Sequence, residues 1–119
     1  MNQETLLQIA KDYGSPLYVY DAQKIKEQYN RLTAAFSKVN KLKINYAAKA
    51  LTNISVLKFI NKLGAGLDTV SIQEVRLGIH AGFVPEKIIY TPNGVSLEEI
   101  EEVAKLGVQI NIDNLSILE

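Results

Sequence analysis

The chain has 119 residues, 47% apolar and 22% charged, and its thirteen basic and thirteen acidic side chains cancel. That length suits one globular unit with a modest core and is too short for a complete eight-unit barrel, which needs about 200 residues or more; with no Lys/Arg run able to follow a phosphate backbone, nucleic acid is not an expected partner. The absence of cysteine excludes disulfide and thiolate metal sites, Met1 to Thr5 carry no basic leader, and no apolar run nears the ~18 residues of a membrane span, so the cytoplasm is the expected location and no membrane contact is expected.

Leu6, Leu7, Ile9, Ala10 and Tyr13 have the spacing of an amphipathic helix, which stops at Gly14 with Pro16 just beyond. Leu17 to Tyr20 reads as a short strand. Asp21 is placed to cap a second helix whose buried stripe is Ile25, Tyr29, Leu32 and Phe36. Next comes a short buried strand in which Leu42, Ile44 and Tyr46 alternate with Lys43, Asn45 and Ala47, an alternation that puts Lys49 on the face of Asn45 and Ala47. From there one unit repeats: strand, turn, helix, glycine. Strands begin near Leu42, Ala65, Lys87 and Val108, a period of roughly 22 residues. The helices between them carry Ile54, Leu57 and Phe59 to Leu63, then Ile72, Val75 and Ile79, then Leu97, Ile100, Val103 and Ala104, and stop at Gly64, Gly82 and Gly107. This is the pattern of a parallel sheet, with the helices on one face if the sheet curls as a barrel does.

Four places invite chemistry. Lys49 ends a strand beside small residues, where α/β folds place their reactive groups; partial withdrawal from water there would raise the fraction of neutral amine able to attack a carbonyl carbon, although a lone strand-end lysine usually just reaches solvent. Asp68 lies near the end of the second strand, and Ser71 and Glu74 follow in a spacing that also fits a helix-capping box. Ser96 to Glu99 repeats that box after the turn signal Asn93-Gly94, and one glycine plus a cap does not make a phosphate cradle. Asp113 falls on the polar face of the fourth strand with Gln109 and Asn111, either lining an interior or solvated. His80, the only histidine, reads as decoration at a helix end. No His, Asp or Glu cluster has metal-ligand spacing, and no serine nucleophile has a base partner.

The run Tyr46-Ala47-Ala48-Lys49-Ala50 resembles the Tyr-Ala-x-Lys-Ala motif of the fold-type III pyridoxal-phosphate decarboxylases. SPLYVYD (Ser15 to Asp21), GAGLDTVS (Gly64 to Ser71), HAGFVPEKIIYTPNG (His80 to Gly94) and GVQINIDN (Gly107 to Asn114) follow in that family's order and spacing, and the likeness is greatest to the start of the bacterial diaminopimelate decarboxylases. It covers nearly the whole chain. The resemblance implies an alanine racemase-like (β/α)8 TIM barrel of which about the first four strand-helix units are present. Residues 1–21 would lead in from the family's second, β, domain, and 22–119 would form the first half of the cofactor-binding barrel. It further implies that Lys49 carries pyridoxal 5'-phosphate covalently, with Asp68 and Glu74 close to it and to the cofactor. The implied reaction is removal of a carboxyl group from meso-diaminopimelate to give L-lysine and carbon dioxide. An ornithine- or arginine-type decarboxylase, an alanine racemase or a non-catalytic carrier of the cofactor remain as alternatives. An amino acid is the implied small-molecule substrate, and a homodimer the implied state of the full-length enzyme. Two positions depart from the pattern: Leu51 stands where asparagine is common, and Gln73 where glycine is. The family's ring-stacking histidine, glycine-rich phosphate loops and acidic partner of the ring nitrogen have no counterpart, so the 119-residue chain is expected to be inactive alone.

Overall fold

The computed structural model describes residues 1–112, 114 and 115, and the chain divides into two compact units, Met1–Ser37 and Lys38–Glu119. In the first unit, helix α1 (Gln3–Tyr13) begins where the Asn2 side chain accepts the Thr5 amide at 2.8 Å, satisfying one amide that the helix itself cannot. Helix α2 (Ala22–Ala35) begins at Asp21, which accepts the Lys24 amide at 3.1 Å, as the sequence predicts. The expected burial of its stripe is not found: no residue of α2 is buried, and Leu32 and Phe36 are 45% and 47% exposed. A unit of two helices has too little surface to enclose both apolar faces. The expected strand at Leu17 to Tyr20 is not found either. These residues have no ladder partner among the described residues, and Tyr18 is 90% exposed. Apolar, aromatic composition fits a pleated surface, but a strand also needs a neighbour for its N–H and C=O groups.

The second unit is an alternation of strand and helix: β1 (Asn45–Ala47), α3 (Ile54–Lys62), β2 (Gly66–Thr69), α4 (Ile72–His80), β3 (Ile88–Tyr90), α5 (Leu97–Lys105) and β4 (Gln109–Ile110). The four strands are parallel and lie in chain order. Each is shorter than the sequence predicts, yet single ladder bonds reach further, with the Thr91 amide donating to Thr69 and the Asn111 amide to Tyr90, both at 2.8 Å. The glycine stops are as expected, since Gly64, Gly82 and Gly107 have φ of 96°, 93° and 73°.

Register and pleat together decide which side chains share a face. Leu67, Thr69, Ile88, Tyr90 and Val108 are buried beneath Leu57, Ile60, Val75, Ile100 and Val103 of the helices. Helix α4 comes close because Gly78 has no side chain: a Cβ there would lie 2.5 Å from Leu67 Cδ2. The opposite face carries Asn45, Asp68, Thr91, Gln109 and Asn111, none of them buried. Among the described residues of this unit, helices cover one face of the sheet, and β1 is not the buried strand expected, its residues being exposed or half-buried.

Both predicted capping boxes form by half. Ser71 and Ser96 accept the amides of Glu74 and Glu99, each at 3.3 Å. The glutamates go elsewhere. Glu74 Oε2 accepts the Val70 amide at 2.8 Å, whereas Glu99 Oε1 accepts both the Ile72 amide at 2.9 Å and the Tyr90 hydroxyl at 2.7 Å. Glu99 thus joins the start of α4, the end of β3 and its own helix α5. Burial, reinforced by the Glu99 carboxylate, pushes the Tyr90 phenol above its ordinary range.

Candidate functional site

Strand β1 ends at Ala47, and a single 3-10 turn, Ala48–Ala50, carries Lys49 away from the ladder. Strand alternation therefore does not set the direction of Lys49. The turn does, and it is held at both ends: the Leu51 amide donates to the Ala48 carbonyl at 3.1 Å, and the Tyr46 hydroxyl donates to the Leu51 carbonyl at 3.3 Å. Ala48, only 1% exposed, anchors the turn in the core. Lys49 itself is exposed, so the partial withdrawal from water expected from the sequence is not present.

Lys49 and Asp68 line one cleft of about 350 Å³ at the C-terminal rim of the sheet. Asp68 arrives there because it pairs with Ala47 across the β1–β2 ladder. Two further strands contribute polar groups: Thr91 from the end of β3 and Asn111 from the end of β4. Their side chains form a line of hydrogen bonds across the rim. Asn111 Nδ2 donates to Thr91 Oγ1 at 3.1 Å, and Thr91 Oγ1 donates to Asp68 Oδ1 at 2.9 Å. Val70 and Pro92 give the cleft an apolar wall, and Asn93 closes one side. One amine, one carboxylate and neutral polar groups around an apolar wall make a place for a single small molecule, at the lower end of the ~300–1,000 Å³ of ligand sites.

Glu74 does not line this cleft; its carboxylate is spent on the amide of Val70, a residue of the cleft wall. His80 is exposed at the last turn of α4. Asp113 lies outside the described residues. No group of three or more His, Cys, Asp or Glu among the described residues is placed to hold a metal. Thr91, Asn111 and the clasping role of Tyr46 were not singled out from the sequence. The available signal was positional: Thr91 and Asn111 stand at the ends of successive strands, as Asp68 does.

A family profile described as pyridoxal-dependent decarboxylase, pyridoxal binding domain, matches residues 22–119. The diaminopimelate decarboxylase of Methanothermobacter thermautotrophicus is 41% identical over 111 residues, 92% of this chain and 26% of that protein. That of Zymomonas mobilis is 36% identical over 117 residues, covering 96% and 28%. Among solved structures, a diaminopimelate decarboxylase from M. jannaschii in co-complex with L-lysine matches 95% of this chain and 27% of its own, with a TM-score of 0.87 and 30% identity. A lysine/ornithine decarboxylase from Vibrio vulnificus complexed with putrescine matches 97% and 31%, with a TM-score of 0.85 and 25% identity. These likenesses bear out the partial barrel. The chain spans about a quarter of the length of the curated relatives it matches.

Proposed function

We propose that this chain, which belongs to the pyridoxal-dependent decarboxylase family through its pyridoxal binding domain, carries the cofactor lysine of a diaminopimelate decarboxylase, converting meso-diaminopimelate to L-lysine and carbon dioxide. The observation that supports this most is that Lys49 and Asp68, from the ends of adjacent strands, meet in one cleft inside the matched segment. The donor set fits the cofactor: a primary amine for its aldehyde, a carboxylate for the positive charge that follows, and an apolar wall for its ring. Bound pyridoxal phosphate supplies a ring able to accept the electron pair left behind when the substrate's carboxyl group departs.

The chain's own residues have the following parts. Lys49 Nζ would hold the cofactor through its aldehyde, and when not so engaged it is a basic group on the cleft wall able to hold a proton. Asp68 stabilises positive charge at nitrogen in the cleft; Thr91 occupies its Oδ1 and leaves Oδ2 for that task. Tyr46 fixes the turn that aims Lys49. Glu74 acts one step back, holding the Val70 wall. A homodimer of the full-length protein, working in the cytoplasm on a free amino acid, completes the reading; no helix among the described residues is long and apolar enough to cross a membrane.

Treatment of the full-length protein with pyridoxal phosphate followed by borohydride reduction and peptide mapping should place the label on Lys49. Label on Lys43 or Lys58 instead would overturn the assignment. In the full-length protein, release of carbon dioxide from meso-diaminopimelate should exceed that from ornithine, since the diaminopimelate decarboxylase of M. thermautotrophicus is nearer in sequence than the lysine/ornithine decarboxylase.

A further inference from the structure

We propose that Asn93 is a site of spontaneous deamidation, a modification that writes a carboxylate into the wall of the Lys49 cleft. Of the nine asparagines in the chain, only Asn93 is followed by glycine. The chemistry is attack by the next residue's backbone nitrogen on the side-chain amide carbon, and a Cβ on that residue obstructs it. At Gly94 that obstruction is missing because glycine has no Cβ, and apart from its two chain neighbours no described residue lies within 4 Å of where one would stand, so the loop is open there. With φ of 66° the position also suits glycine and disfavours replacement by any other residue. The Gly94 amide donates no backbone hydrogen bond among the described residues, so nothing there ties down the attacking nitrogen. Both residues are exposed, and water has access.

The step balances without an outside oxidant or reductant. The Gly94 nitrogen loses its proton and bonds to Asn93 Cγ, while the side-chain nitrogen leaves as ammonia and a five-membered imide closes. Water then adds to one of the two ring carbonyls. If the bond from the Gly94 nitrogen to Cγ breaks, aspartate results; if its bond to the Asn93 backbone carbonyl breaks, isoaspartate results, with the chain rerouted through the side chain. Either product places a negative charge where Lys49 is the only cation among the described lining residues and Asp68 already supplies one carboxylate. A phosphate-bearing ligand would then be held less well. That second half rests on the cofactor reading given above; the modification itself does not.

Trypsin cuts after Lys87 and Lys105 and releases Ile88 to Lys105, a peptide whose only side-chain amide is Asn93, so the site is read without ambiguity. In folded protein held in mildly alkaline buffer, this peptide should gain the mass of an amide-to-acid exchange. The gain should slow on acidification and resolve into two isomers, while the peptides carrying Asn45 and Asn111 stay unchanged. No gain over a period in which the same peptide converts when free in solution would overturn the proposal. For the charge effect, in the full-length protein Asn93→Asp should bind pyridoxal phosphate roughly threefold more weakly than the parent, the difference shrinking with added salt. Equal affinity would overturn that half. A parent that takes up no pyridoxal phosphate would overturn the cofactor reading, and the charge effect with it, and would leave the mass result standing.

Discussion

An alanine at position 66 would place its Cβ 2.7 Å from the Lys87 carbonyl oxygen and against Asn45 Oδ1. The Lys87 oxygen belongs to backbone leading into β3 and cannot retreat without disturbing the ladder, so Gly66→Ala is expected to cost about 2–3 kcal/mol. The measure is a lowered urea midpoint at unchanged slope; an unchanged midpoint would mean that the sheet can open there. Thr91 gives a contrasting case. Its bonds are exposed, so Thr91→Val is expected to cost less than about 1 kcal/mol of stability, and yet to weaken pyridoxal phosphate binding by freeing Asp68 to rotate, with Thr91→Ser restoring it. Equal binding by the valine and serine variants would remove Thr91 from the site. A chemical role for Lys49 and Asp68 came only from the family resemblance, while their place at the rim of the sheet could be read from the ends of their apolar strands. Thr91 and Asn111 could not, because threonine and asparagine are ordinary at strand ends, and only the pairing register shows that they meet. The turn under Lys49 was hidden for a different reason: Ala47-Ala48 continues the strand's composition, and nothing local marks where the ladder stops.

Among the elements, α4 is capped at its first turn by residues from two places, Ser71 beside it and Glu99 from the next unit. Glu99→Ala would leave the Ile72 amide and the Tyr90 hydroxyl without their acceptor in partly buried surroundings. A loss of about 2–3 kcal/mol is expected, against about 1 kcal/mol for Tyr90→Phe, which removes one bond and leaves no orphan acceptor of comparable cost. Similar losses for the two would show that the Ile72 bond contributes little. The same junction sets an alkaline limit. The Tyr90 phenol is raised from its usual 10.0, first by burial and then by Glu99, so the fold favours the protonated form. Its contribution is complete below the unfolded value and is lost as pH rises beyond it. Unfolding above about pH 10 should accordingly be steeper in the parent than in Tyr90→Phe, with equal slopes excluding the effect. Sequence showed the serine halves of both caps and missed the glutamate halves, because a local spacing rule cannot see a neighbouring helix.

At the scale of the whole molecule, the repeated glycine stops and the roughly 22-residue spacing made the parallel order of the sheet legible in advance. Leu17 to Tyr20 has the composition of a strand without a pairing neighbour among the described residues. Strands β1 and β4 each have one partner among the described residues, leaving outer edges that favour association with further strands. The 119-residue chain is therefore expected to sediment as a concentration-dependent mixture; a sharp monomer boundary across micromolar concentrations would mean that those edges are covered. The junction at Glu99 carries a last consequence, for synthesis. Ile72 and Glu99 are 27 residues apart, so a ribosome that adds about 5–20 residues per second delivers the helix start a second or more before its distant acceptor. Until then the second strand-helix unit has an open amide at its head and the third an open hydroxyl. A chain ending just short of Glu99 would hold both, and the one added residue, once free to fold, would supply the acceptor for both and join the second unit to the third.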